Sequence, residues 1–147
     1  MNSIIEIIPQ LLSYQLSFLA LAVLCLSVLV QNFLTAPLAF LKEQQVPGMP
    51  LKGDHTLRSF RVLRTYANSV ENLPTFGLTL FIAILIGVGP SLVNGLAVIH
   101  VAFRIAFWGV YYGGIGKVAG GPRTLCYVGG LISNIVLVCA CIYTFVK

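Results

Sequence analysis

The sequence predicts an all-α integral membrane protein, a bundle of four helices. Of its 147 residues, 58% are hydrophobic and only 9% are charged, whereas about a quarter of the residues in soluble chains are charged. The charges are separated by long uncharged runs, and roughly 20 helical residues suffice to cross a bilayer. The chain is too short for a second domain of this kind, so residues 1–147 are predicted to form a single transmembrane domain.

The first helix is expected over about residues 9–40. The uncharged run from Ile7 to Leu41 is preceded by Glu6 but by no Lys or Arg. A secretory signal needs a basic start and a short apolar core, so this helix is expected to be retained. Gln31 and Asn32 interrupt the run near its end, where they could cap the helix, bind a ligand or hydrogen-bond a neighbouring helix.

A polar loop is predicted over residues 42–55, because two prolines and two glycines disfavour a helix there. His55, at the end of this loop, is expected to be a solvated loop residue and not a catalytic base.

The second helix is expected over about residues 56–88 and carries a polar stripe. By helical periodicity its polar residues fall within a sector of about 80°; they are Arg61, Arg64, Asn68 and Glu71. No charged residue occurs from Leu73 to Ala102, so the stripe lies at the mouth of a membrane span. A carboxylate at that depth must be paired, and the sequence predicts that Glu71 contacts either Arg64 or Arg104.

The third and fourth helices are expected over about residues 91–112 and 122–145. Arg104 and Tyr111 are seven residues apart and share a face of the third helix. His100 is expected to hydrogen-bond a neighbouring helix. Pro122 suits the first turn of the fourth helix, in which Arg123 and Tyr127 share a face. The glycine-rich segment between these helices lacks the spacing of a phosphate-binding loop.

Composition also excludes several classes of function. The formal charge of +5 is not a nucleic-acid signature, because the basic residues lie beside apolar segments and not on one exposed face. The four cysteines lie within apolar segments and lack zinc-type spacing with histidine. No metal site and no nucleic-acid partner are predicted.

The distribution of basic residues predicts the orientation in the membrane. Lys and Arg cluster in and beside the loops that join helices 1–2 and 3–4. The positive-inside rule places both loops in the cytoplasm and both termini on the opposite side. This topology brings seven polar side chains to one depth at the cytoplasmic interface: Arg61, Arg64, Asn68, Glu71, Tyr111, Arg123 and Tyr127.

These side chains suit a small zwitterionic or anionic ligand. Arginine forks bind carboxylates, and a glutamate binds an ammonium group. A cysteine-containing tripeptide, with two carboxylates, one ammonium and a thiol, fits this chemistry. An arginine near the thiol would lower the pKa of that thiol, and a site at the lipid boundary would admit an apolar second substrate.

The segment from Arg64 through Asn68 and Glu71 resembles the R-x-x-x-N-x-x-E signature of the MAPEG family, the membrane-associated proteins of eicosanoid and glutathione metabolism. Arg104 with Tyr111, and Arg123 with Tyr127, fall where that family carries Arg and Tyr. The resemblance covers the whole chain. It implies a homotrimer that binds glutathione between neighbouring subunits.

The resemblance also implies roles for individual residues. Arg64, Asn68 and Glu71, with Arg61 in the same stripe, would hold the backbone and termini of glutathione. Tyr111 and Tyr127 would line the pocket, and Arg104 would buttress Glu71. Arg123 would face the sulfur and stabilise the thiolate, and Thr124 would donate a hydrogen bond to it. The bound cofactor thiolate would then attack an apolar electrophile.

The sequence departs from the eicosanoid-synthesising members in two places. Those members carry an arginine near the end of helix 1, where this chain has Gln31 and Asn32, and the loop from Tyr111 to Arg123 is longer and richer in glycine. A detoxifying glutathione transferase acting on hydrophobic electrophiles is therefore favoured, with a glutathione-dependent peroxidase activity beside it.

Two other functions use the same residues. A non-enzymatic membrane protein could bind lipid or a partner protein through the basic interfacial site. A transporter or channel subunit is less favoured, because the chain lacks inverted repeats and a charged path across the membrane.

Overall fold

The structure, a computed structural model, describes residues 9–40, 53–117 and 119–147, and every regular element within these ranges is helical. Helix α1 (Gln15–Thr35) has a 3-10 turn at each end, Pro9–Tyr14 and Ala36–Phe40. It is followed by α2 (Arg58–Leu85), α3 (Pro90–Gly113) and α4 (Pro122–Val146). The prediction of an all-α fold with four helices is confirmed. Glu6 and residues 41–52, on which part of the predicted orientation depends, lie outside the described residues.

Three segments are long and apolar enough to cross a membrane: Gln10–Leu38, Pro90–Gly113 and Pro122–Val146. Helix α2 has 28 residues, which is also sufficient length, but its first half carries the polar stripe. Large apolar side chains such as Leu29, Leu78 and Ile132 are exposed on the outside of the bundle. In water this surface would be unfavourable, and in a bilayer it faces acyl chains or another subunit. The protein is therefore a membrane protein.

The apolar core fills the half of the bundle away from the polar stripe. Phe76 and Leu80 of α2, Val93 and Ala97 of α3, and Leu137 of α4 are buried there. Ala20 and Leu24 of α1 belong to the same cluster, so this packing holds all four helices together below the polar residues of α2. It leaves the opposite end of the bundle to the charged and aromatic side chains.

Close packing of α3 on α4 positions the residues beneath that end. A Cβ atom at Gly129 would lie only 2.5 Å from the ring of Phe103, so a larger residue there would force the ring to shift, and glycine allows the close approach. Next to it, His100 Nδ1 donates to the Gly130 carbonyl oxygen at 2.9 Å. The predicted hydrogen bond from His100 to another helix is thus confirmed.

Proline and glycine set the ends of the last two helices. Pro90 and Pro122 occupy first-turn positions, where the missing N–H has no helical acceptor to lose. Gly114 ends α3 with φ 63°, the left-handed conformation typical of a helix C-terminus. A Cβ at Gly114 would lie 3.0 Å from Arg61 Cζ, so the loop after α3 packs against the start of α2. The loop after α3 and the loop residues directly before α2 therefore lie at the same end of the bundle.

Candidate ligand-binding site

A pocket of about 420 Å³ opens at the end of the bundle where these two loops meet. Its size is within the range of small-molecule sites, about 300–1,000 Å³. Seven of its lining residues were predicted from the sequence: Arg64, Asn68, Glu71, Tyr111, Arg123, Thr124 and Tyr127. Two others, His55 and Phe107, were not. Side chains from α2, α3, α4 and the loop before α2 thus converge on one cavity.

An ion pair on α2 forms one wall of the pocket. Arg64 Nη1 donates to Glu71 Oε1 at 3.0 Å, which confirms one of the two predicted pairings. The side chains are 43% and 53% exposed. An ion pair this exposed stabilises a protein by only about 0–1 kcal/mol. Both charged groups can therefore be redirected to a ligand at small cost.

Arg104 lies beneath the pocket and not on its lining. It is only 5% exposed, and its Nη2 donates to Asn68 Oδ1 at 2.8 Å and lies 3.4 Å from Ser69 Oγ. Its guanidinium also stands 5.1 Å from the Phe107 ring centroid. The direct contact of Arg104 is thus with Asn68, whose side chain it holds. The expectation that Arg104 buttresses Glu71 stays a prediction.

Gln31 continues this buried network into α1. Its Oε1 accepts a hydrogen bond from Ser69 Oγ at 2.9 Å, and it is 2% exposed. Of the three roles left open by the sequence, the structure selects the hydrogen bond between helices. The network fixes the position of α1 relative to the pocket floor.

Arg61 also differs from its predicted position, since it lines a neighbouring cleft instead of the pocket. Its Nη1 donates to the carbonyl oxygens of His55 at 2.9 Å and Thr56 at 2.8 Å. Arg61 shares the polar face of α2 with Arg64, but the loop before α2 folds back within its reach. His55 and Thr56 lie in the turn before α2, outside any helix. Their carbonyl oxygens therefore accept the hydrogen bonds of Arg61.

Arg123, Tyr111 and His55 form a contact group in the lining of the same pocket. The Arg123 guanidinium stands over the Tyr111 ring, 4.8 Å from its centroid, a cation–π arrangement. Arg123 Nη1 also lies 3.3 Å from His55 Nδ1. The Tyr111 hydroxyl also hydrogen-bonds the same His55 nitrogen.

His55 is held by its neighbours, which corrects the prediction of a solvated loop residue. Asp54 Oδ1 accepts hydrogen bonds from the Thr56 N–H at 2.8 Å and its hydroxyl at 2.6 Å. This side-chain turn, together with Arg61, orders the backbone on both sides of the imidazole. The Asp-x-Thr pattern directly before a helix was a signal that could have indicated an ordered His55.

Two ionisable groups in this loop have shifted pKa values. Burial, followed by the positive charge of Arg123, lowers the pKa of His55 below its ordinary value of 6.5. The hydrogen bonds from Thr56 lower the pKa of Asp54 below 3.8. At neutral pH the imidazole is therefore neutral and the carboxyl group is ionised.

Thr124 and Tyr127, from the first turns of α4, complete the wall. Thr124 Oγ1 accepts a hydrogen bond from the Gly120 N–H at 3.2 Å; its own hydroxyl hydrogen remains available to donate. The Tyr127 ring stands 6.3 Å from the Phe107 ring and is 36% exposed. This side of the pocket is thus aromatic and open to the outside of the bundle.

Comparison with known proteins agrees with the resemblance seen in the sequence. No curated protein and no solved structure matches the chain. A family model, that of the MAPEG family, matches residues 12–143. This range contains α1, α2, α3, all of α4 except its last three residues, and every residue of the pocket. Because this match covers most of the sequence, the chain belongs to the MAPEG family.

Proposed function

We propose that this protein is a membrane-bound glutathione transferase that conjugates the glutathione thiolate to hydrophobic electrophiles. The observation that carries the proposal is the pocket of this MAPEG-family member, which the Arg64–Glu71 pair and the Arg123 side chain line together. Membership of the family is consistent with a glutathione-dependent transferase. A glutathione-dependent peroxidase activity toward lipid hydroperoxides belongs to the same proposal.

The charges of the pocket complement those of glutathione. The Arg64 guanidinium can bind one carboxylate of the tripeptide through two parallel hydrogen bonds. Glu71 can bind its ammonium group, so that a zwitterionic ligand replaces one exposed ion pair by two charge-assisted contacts. Asn68, held by Arg104 at 2.8 Å, keeps its amide group available to the peptide backbone.

Arg123 is the proposed activator of the thiol. A guanidinium beside the sulfur lowers the pKa of the thiol, because it stabilises the anion. The thiol proton leaves to solvent, the thiolate forms a C–S bond to the electrophile, and the leaving group departs with its electron pair. Thr124, next in the chain and also on the pocket wall, would donate a hydrogen bond to the sulfur.

The position of the pocket suits an apolar second substrate and a partner subunit. Glu71 and Tyr127 are exposed on the outside of the bundle, so the cavity opens toward lipid or toward another copy of the chain. We propose a homotrimer in which a neighbouring subunit closes this side around glutathione. We also propose that the pocket end faces the cytoplasm, where the positive-inside rule places the basic loops.

The test is the ultraviolet absorbance of a thiolate when glutathione is added to the detergent-purified protein. Wild type should give the signal and Arg123→Ala should lose it. Arg58→Ala is the matched control, since Arg58 is an exposed arginine at the same end of α2 that borders a different cleft. Binding of glutathione is measured in parallel by calorimetry.

Three results would contradict parts of this proposal. Glutathione binding without a thiolate signal in wild type would remove the proposed activation. An equal thiolate signal in Arg123→Ala would remove Arg123 from the mechanism. No glutathione binding at all would favour the alternative of a non-enzymatic protein that binds lipid or a partner through the same basic residues.

A further inference from the structure

The imidazole of His55 stands where three helices meet at the pocket. Its ring packs edge-on against Phe60 of α2, with centroids 5.1 Å apart. Its Nδ1 atom contacts both the Tyr111 hydroxyl of α3 and the Arg123 guanidinium of α4. It therefore touches the arginine that is proposed to stabilise the thiolate.

The chemistry of the two contacts determines which nitrogen carries the proton. A guanidinium has only donors, so the contact with Arg123 at 3.3 Å requires an unprotonated Nδ1. The Tyr111 hydroxyl must then donate to the same nitrogen, and Nε2 of the neutral ring carries the hydrogen. If Nδ1 carried the hydrogen, Tyr111 could still accept its hydrogen bond, but the Nδ1–H and the N–H of Arg123 would face each other. In the doubly protonated ring, two positive charges would also face each other.

We propose that neutral His55 is a positioning residue, which orients the Arg123 guanidinium at the pocket by accepting its hydrogen bond, and that protonation of His55 breaks this contact. This inference rests on the function proposed above, because His55 would act on glutathione only through Arg123. It adds to the site a residue outside the helix-2 signature and outside the helices altogether.

The surroundings of His55 favour its neutral form. Arg123 on α4 and Arg64 on α2 both act against a positive charge on the ring. Arg61 on α2 and Lys117 in the loop after α3 line the adjacent cleft with it. Among the described residues, the carboxylate that acts on the ring is Asp54 in its own loop, which is exposed and accepts two hydrogen bonds from Thr56. Glu71 lies farther along the lining of the same pocket, where it pairs with Arg64. The cations outnumber these carboxylates, so the Arg123 contact is maintained at neutral pH.

Two variants distinguish the effect of the hydrogen-bond acceptor at position 55 from the effect of protonating the imidazole. His55→Asn keeps an acceptor at about the distance of Nδ1 from the backbone but has no proton to gain. His55→Leu has a similar size and no acceptor. Turnover of glutathione with a chlorodinitrobenzene is measured from about pH 5.5 to 8, the range in which histidine titrates. The ratio of wild-type to variant turnover cancels the ionisation of glutathione itself.

We expect the ratio of wild type to His55→Asn to fall as the pH decreases below about 6.5, because only wild type loses the contact. We expect His55→Leu to lower kcat about tenfold at every pH, with the KM for glutathione changed less than about twofold. A ratio that stays constant with pH, or wild-type kcat in His55→Leu, would overturn the inference.

A second measurement does not depend on glutathione. The chain has two histidines, so ¹⁵N spectra of histidine-labelled protein can be assigned by comparison with His55→Asn. His55 should show an unprotonated Nδ1, and its titration midpoint should rise in Arg123→Ala but not in Arg58→Ala. An unchanged midpoint in Arg123→Ala contradicts the contact. If the contact is present but wild type binds no glutathione, the proposed transferase function fails and the His55–Arg123 contact stands.

Discussion

The two ends of the helix bundle use polar side chains in different ways. At the end away from the pocket, the Tyr14 hydroxyl donates to the Val88 carbonyl oxygen at 2.6 Å. Asn94 Oδ1 accepts hydrogen bonds from the Ser17 N–H at 3.0 Å and from the Ser17 hydroxyl at 2.6 Å. All of these groups are neutral, and each hydrogen bond joins segments that are far apart in the sequence.

At the pocket end, the polar groups are charged and surround a cavity of about 420 Å³. The one ion pair among the described residues, Arg64–Glu71, is half exposed, and the guanidinium of Arg123 is shared between an aromatic ring and a histidine nitrogen. Neutral hydrogen bonds between helices hold a membrane bundle together. Charged groups around an open cavity are costly to keep there, which is typical of a binding site.

The largest effect should come from the pocket end, in the variant Arg123→Ala. Removing a positive group aimed at a developing or stabilised anion lowers kcat about 100-fold or more. Arg123→Lys should fall between wild type and Ala, because the charge is kept but the planar fork is lost. Steady-state kinetics check this. A change in KM alone, with kcat preserved, would place Arg123 in binding and not in activation.

Glu71→Gln, at the pocket end, should lower the affinity for glutathione and leave the stability of the fold almost unchanged. We expect glutathione affinity to fall about tenfold or more, because a hydrogen bond to a charged group contributes about 1.5–3 kcal/mol. The thermal midpoint should change little, since the half-exposed pair with Arg64 contributes about 0–1 kcal/mol. Calorimetry and thermal melts in detergent measure the two effects. A large loss of stability would show that the pair holds the fold.

Asn94→Ala should give the opposite pattern. Asn94 caps the start of α1 by accepting from the Ser17 N–H, one of the first-turn donors that have no partner within the helix. Its loss should cost about 1 kcal/mol of stability, with kcat and glutathione affinity unchanged because the pocket is at the other end. Reduced kcat in a correctly folded variant would mean that the two ends are coupled.

The smallest expected effect is the pH dependence of the folding stability. The pKa of His55 is lowered in the folded protein, so the unfolded chain binds more protons below about pH 6.5 and stability falls as the pH decreases through that value. The lowered pKa of Asp54 acts in a separate window, below about 3.8. Thermal melts between about pH 5 and 7 should therefore show a decline that is smaller in His55→Asn. An identical decline in both proteins would assign it to other groups.

Several features of the site followed from helical periodicity alone. Arg64 and Glu71 are two turns apart on one helix, so their pairing depends little on the rest of the fold. The polar stripe on α2, and the proline and glycine residues that set the ends of α3 and α4, are equally local. Two residues on the same helix face can nevertheless have different partners. Arg64 pairs with Glu71, whereas Arg61 donates to the loop carbonyl oxygens of His55 and Thr56.

By itself, the sequence determined the class of the protein, its four helices and the residue types that meet at one end, because hydropathy and helical periodicity are properties of neighbouring residues. The partner of each long side chain, in contrast, depends on how the helices and loops pack in three dimensions. This packing placed Arg104 on Asn68, and it brought His55 to Arg123 across 68 positions of sequence. A guanidinium can extend in several directions from its helix, and the path of the loop and the packing of the neighbouring helices select one of them.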